Sequence, residues 1–286
     1  MAVKSKKTKG KKNEIAPRED FAVDTTDYEQ FDKDGFAGQS SDEITIPFLS
    51  VLQGLSPQVN KGQDKFIEGA SSGDLVNSVT NAILPENLLF VPCHKFRQVL
   101  RWRKRDAGGG LVDRLAYDDP FVAECKAAAG TSFGKIPVVG DDTQELQEVF
   151  YVAGIAYPDG LEGDSFALII SFNSSKIKVY KKWNTAMSSC QVLAPSGRKV
   201  TPPLFAHAVR LSTVSETNAR NESYFNLAIN PANGDIKSSL LSPESEAFKA
   251  ALELRPFFQS DDLKMDDESE AQADSSASET KDEVFA

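Results

Sequence analysis

Lys176-Ile177-Lys178-Val179-Tyr180-Lys181-Lys182-Trp183-Asn184-Thr185-Ala186 is the stretch on which the reading of this chain turns. Taken with period two, it predicts a strand with two unlike faces. Lys176, Lys178, Tyr180 and Lys182 share one face, and Ile177, Val179, Lys181 and Trp183 share the other. Cations beside an aromatic ring suit a single-stranded nucleic acid, because lysines neutralise phosphates and rings stack on bases of any sequence. The plainer alternative is an amphipathic strand whose lysine face is merely solvated.

A second stretch repeats the design. Lys95, Arg97, Val99, Arg101, Arg103 and Arg105 alternate with Phe96, Gln98, Leu100, Trp102 and Lys104. The chain has 2 tryptophans, and each lies inside one of these two basic clusters. Two such strands side by side make a positive groove floored with rings. The candidate nucleic-acid contacts are therefore Lys95, Arg97, Arg101, Trp102, Arg103, Lys104, Arg105, Lys176, Lys178, Tyr180, Lys181, Lys182 and Trp183. Strict alternation sets both tryptophans opposite most of their cationic neighbours. Either a bulge or an edge position turns them into the groove, or they are core and Tyr180 is the stacking ring.

Charge is distributed in blocks. Residues 1–12 carry +6, residues 13–43 carry −8, residues 44–260 are neutral and residues 261–286 carry −8, giving the net −10. Polarised ends of this kind belong to disordered, partner-contacting segments. The expected organisation is an arm over 1–43, one β-rich nucleic-acid-binding domain over 44–258 and an acidic tail over 259–286. Cys93, Cys125 and Cys190 are widely spaced and form no CxxC, which fits buried thiols in a reduced compartment. Cys93-His94 lacks the ligand spacing of a zinc site. There is no 18-residue apolar run and no secretory h-region, so a cytoplasmic protein without a membrane span is expected.

Along the chain, Ile46–Leu55 has helical spacing, with Phe48, Val51, Leu52 and Leu55 on one side. Residues 66–92 read as short strands and turns, and Leu88–Pro92 runs into the first basic strand. Gly108-Gly109-Gly110 is a hairpin tip, with Leu111–Leu115 as the returning strand; no Lys-Ser or Lys-Thr follows, so it is not a Walker loop. Asp119-Pro120 opens a helix that Gly130 closes, with Cys125 on its packing face. Val149–Tyr157, Phe166–Phe172, Leu204–Leu211 and Tyr224–Ile229 read as strands, Phe166–Phe172 buried on both faces. Ser242-Pro243-Glu244 caps a helix that ends at Arg255, before Pro256. The class is mainly β with a few helices, α+β.

No catalytic, metal or cofactor motif is present: there is no G-x-S-x-G, H-E-x-x-H or kinase set. Asp118-Asp119 and Asp141-Asp142 fit cap and turn roles. A non-enzymatic binding protein is expected.

The basic aromatic segment with Lys182-Trp183-Asn184-Thr185-Ala186, the β-rich body and the acidic tail ending near Phe285 together resemble the single-stranded DNA-binding proteins of bacteriophage replication. Ile46–Leu49, Leu52-Gln53 and Ser56–Val59 are also similar to a family of phage early proteins. The resemblance implies an OB-like β-barrel with insertions. It further implies a role in phage DNA replication or recombination, inside the infected bacterial cell. It implies as well a tail, with Asp282, Glu283 and Phe285, that competes with DNA and recruits polymerase, primase-helicase or other replication proteins. Self-association is compatible with this. A polymerase-binding adaptor or transcription cofactor, which would lose its activity with the tail, and a strand-annealing protein, which would pair strands, are the alternatives.

Overall fold

Two long antiparallel strands carry the body of the protein. The computed structural model describes residues 45–131, 134–218, 221–259 and 265. The chain divides into two units, Met1–Ser40 and Ser41–Ala286, and the described residues belong to the second.

In chain order the elements are β1 (Leu49–Val51), β2 (Leu75–Asn77), β3 (Ile83–Leu84), β4 (Leu88–Arg103), β5 (Leu111–Ala116) and α1 (Pro120–Ala129). Then come β6 (Lys135–Val138), β7 (Asp141–Tyr157), β8 (Phe166–Phe172), α2 (Lys176–Ser188), β9 (Val192–Leu193) and β10 (Lys199–Val200). The last are β11 (Val209–Thr217), β12 (Ser223–Pro231) and α3 (Glu246–Phe258). This is the mainly β, α+β class read from the sequence.

β4 and β7 pair along nearly their whole length, from Leu89 opposite Tyr157 to Arg103 opposite Gln144. A 16-residue strand is roughly 50 Å long, so each outer side holds two shorter strands. β11 and β5 line the outer side of β4, and β8 and β6 that of β7. β12 pairs with β11 to complete the 7-stranded sheet. These pairings draw an open sheet; closure into the expected OB-like barrel is not among them.

The sheet is covered on both faces. Val99 and Leu146 pack with Val122 and Cys125 of α1, and further along the same face Val152, Ile170 and Phe172 pack with Tyr180, Trp183 and Met187 of α2. The alternate residues Leu100, Trp102, Val149 and Tyr151 pack on the other face, in the cluster that holds Ala247, Ala251 and Phe258 of α3.

Several local readings hold. The β4–β5 hairpin turns through Arg105–Ala107 and three glycines, each at positive φ. α1 starts where Asp119 accepts from the Phe121 N–H at 2.8 Å and stops at left-handed Gly130. Asp141 serves its turn, accepting from the Thr143 N–H and hydroxyl. The three cysteines are free and buried, and burial pushes the Cys93 thiol up to about 12.

Four readings are corrected. The Lys176–Trp183 strand is the first part of α2, because Ile177, Tyr180, Trp183 and Met187 make a continuous apolar stripe only at helical spacing. Ile46–Leu55 is not a helix but a bridged, extended run ending in β1 and then a turn at Gly54-Leu55, with Ile46 and Phe48 both buried and bridged to Met265 and Ile169. Leu204–Ala206 is a short 3-10 turn, and the strand begins at Val209. α3 starts from Ser245 and runs through Pro256 to Phe258, whose side chain is interior.

His207 yields a pH prediction. It is 1% exposed, and burial holds its imidazole below the usual histidine range, against an opposing backbone hydrogen bond to Pro202. Below about pH 6.5 the unfolded chain therefore takes up a proton that the folded chain does not, so stability falls with pH. The urea midpoint should drop between about pH 7.5 and about pH 5.5, and less so in His207→Gln. An equal drop in both chains would assign the effect elsewhere.

Candidate nucleic-acid interface

The pleat of β4 sorts its side chains. Lys95, Arg97, Arg101 and Arg103 stand on the face that carries α1 and α2, on either side of buried Val99. Successive cations two residues apart are roughly 7 Å apart along the strand. Phe96, Gln98, Leu100 and Trp102 point to the α3 face.

The two basic clusters do meet, although one is a strand and the other a helix. Lys95 Nζ donates to Asn184 Oδ1 of α2 at 2.7 Å. Lys181 lies one turn before Asn184 on the same side of that helix, and exposed Lys182 follows it. Arg97 lies over the Tyr117 ring, 3.1 Å from its centroid, and 3.6 Å from Glu148. Lys126 of α1 stands 4.2 Å from the same ring centroid. Arg101 bonds Gln144, sits opposite Asp113 and lies 5.2 Å from the Phe121 ring centroid. Exposed Arg103 ends the row, Lys104 Nζ donates to the Asp142 carbonyl at 2.7 Å, and exposed Arg105 lies in the hairpin turn.

Other expected contacts lie elsewhere. Lys176 opens α2 and is half-buried. Lys178 is tied to Glu216 at 2.9 Å, and the same carboxylate accepts from Tyr224 and Asn226, so this lysine fastens α2 to the β11–β12 hairpin. These hydrogen bonds hold Glu216 below its ordinary range against the opposing effect of burial, and Lys178 above its own. Asp282, Glu283 and Phe285 lie outside the described residues.

The three rings assigned to base stacking are interior: Trp102 is 4% exposed, Trp183 5% and Tyr180 8%. Tyr180 stacks on Phe150 at 4.6 Å and tilts against Phe172 at 5.3 Å. Burial raises its phenol, with Arg97 acting in the opposite direction. Neither indole N–H finds an acceptor. Among the described residues no aromatic side chain is exposed. The surface presented is a row of cations with one half-buried ring, Tyr117, beneath two of them, an arrangement that can hold a chain of phosphates.

Tyr117 and Lys126 carry no local signal in the sequence. Tyr117 precedes an ordinary helix cap, and only the hairpin and α1 bring the pair to Arg97. Among the described residues no three His, Cys, Asp or Glu side chains are grouped for a metal ion, and no helix is long and apolar enough to cross a membrane.

No curated protein and no solved structure matches this chain. The phage association read from the sequence is met at the level of family: the model of the Pam3 phage gp34-like protein family matches residues 11–264, and the chain belongs to that family.

Proposed function

We propose that this is a non-enzymatic, sequence-tolerant single-stranded DNA-binding protein serving phage DNA replication or recombination in the host cytoplasm. The observation that carries this reading is the row Lys95, Arg97, Arg101 and Arg103 on one face of β4, joined to α2 through Lys95 and Asn184. Lys104, Arg105, Lys181 and Lys182 extend the row, and Lys126 adds a cation at Tyr117. With the rings of Trp102, Tyr180 and Trp183 interior, this surface grips phosphates and leaves the bases unread. The acidic tail, with Asp282, Glu283 and Phe285, is the segment that recruits replication proteins such as a polymerase or primase-helicase.

The test is a titration with labelled oligo-dT at several salt concentrations. Each neutralised phosphate of a single strand contributes about −0.7 to the slope of log K against log salt. Replacing Lys95, Arg97, Arg101 and Arg103 together with alanine should flatten the slope by roughly 3 and weaken binding by about a hundredfold or more at low salt. Intrinsic tryptophan fluorescence should stay unquenched. An affinity indifferent to salt, or one unchanged in the fourfold variant, would sink the reading.

A further inference from the structure

After α2 the chain leaves the main sheet and forms a hairpin of its own. β9 and β10 pair with each other in a separate two-stranded sheet, Leu193 opposite Lys199 and Val192 opposite Val200. The Ala194 N–H donates to the Arg198 carbonyl at 2.9 Å, closing the loop Pro195-Ser196-Gly197 with Gly197 at φ +77°. Directly opposed residues share a face. Val192 and Val200 are both half-buried, which makes theirs the inward face. Leu193 and Lys199 form the outward face, where Leu193 is 71% exposed. So small an isolated hairpin is marginal in water, and an outward leucine adds nothing to its folding.

The charge of the surrounding chain says what this face suits. In a protein of net charge −10, no aspartate or glutamate occurs between Asp164 and Glu216. The part from Lys176 to Lys199 holds four lysines in α2, then Arg198 and Lys199 in the hairpin. Position agrees with this. Asn184, the partner of Lys95, is four residues from the end of α2, about 6 Å of helix. The four further residues to Val192 span at most about 14 Å. The hairpin therefore starts within about 20 Å of the cationic row. The row lacks an exposed ring, and the hairpin offers what it lacks: an apolar side chain next to cations, the chemistry used to wedge against bases.

We propose that the Val192–Val200 hairpin is a second nucleic-acid contact, with Arg198 and Lys199 on phosphates and Leu193, backed by Pro195 at the tip, laid against a base. This rests on the single-strand-binding reading and adds base contact to it.

The test uses the full chain and two oligonucleotides, oligo-dT and one containing 2-aminopurine, whose fluorescence rises when it is unstacked. Arg198→Ala with Lys199→Ala should flatten the salt slope by about 1.4. Leu193→Ser should keep the slope, weaken binding roughly tenfold and lose most of the 2-aminopurine signal. These residues are exposed, so urea midpoints should match the parent and exclude misfolding. If the parent binds and both variants equal it in affinity, slope and signal, the hairpin contact is wrong while the function stands. If Leu193→Ser instead dissociates a dimer in sedimentation and leaves DNA binding unchanged, the face joins two copies and the inference is overturned. A parent that binds neither oligonucleotide overturns both proposals.

Discussion

A Trp183→Ala chain is expected to be about 3–5 kcal/mol less stable than the parent, the cost of removing a large aromatic side chain from a packed interior. Trp183 is almost fully buried, its ring centroid is 6.1 Å from that of Tyr180, and both lie in the cluster with Met187, Phe172 and Leu168. α2 is amphipathic, and this stripe is its attachment to the sheet. Truncation leaves a cavity between helix and sheet that neighbours in β7 and β8, held by their backbone pairing with each other, cannot close. The urea midpoint should fall in proportion at an unchanged m-value. A stability within about 0.5 kcal/mol of the parent, the range of surface substitutions, accompanied by lost oligonucleotide affinity, would put the ring outside and restore it as a base-stacking group.

The second large effect is expected at Gly154. It lies three residues before the end of β7, between Pro92 of β4 and Leu168 of β8, beside the register shift between Pro92 and His94. A Cβ here would run into the Val91 carbonyl oxygen and stand 2.6 Å from the Phe90 ring. The carbonyl belongs to the paired backbone of the central strand, so neither obstacle can swing aside. Gly154→Ala should therefore cost about 3 kcal/mol or more through overpacking, seen as a fall in Tm of roughly 6–12 °C for a body of this size. A Tm within about 2 °C of the parent would mean that β4 can shift at its bulge at no cost.

These two sites mark where local pattern was sufficient and where it was not. β4 was legible because four cations, interrupted only by Val99, recur at every second position from Lys95 to Arg103, and α1 because Asp119, Pro120 and Gly130 are capping chemistry with few other uses. The segment Lys176–Trp183 carries two periods at once. Lys176, Lys178 and Lys182 fall on alternate positions, and β-branched Ile177 and Val179 favour a strand, yet the stripe Ile177, Tyr180, Trp183, Met187 has spacings of three, three and four residues. Burial of Tyr180, Trp183 and Met187 goes with the helical period, as tertiary context overrides local propensity. The neighbours in space were not legible. Arg97 meets Tyr117 because a hairpin folds β5 back on β4, and Lys95 meets Asn184 because α2 crosses the sheet beside β4; neither contact leaves a mark in spacing. The same holds for the sheet, since alternation says that a strand has two faces but not which strand lies next to it.

The length of β4 and β7 has a further consequence. One end of the sheet carries α1, β5 and β6, the other α2, β8 and β11, yet both ends are built on the same two strands. The β4–β7 pairing runs through both ends, so neither end has central strands of its own. A polyanion lying along Lys95–Arg103 would rest on the member common to both halves, and its binding energy would be felt by the whole body.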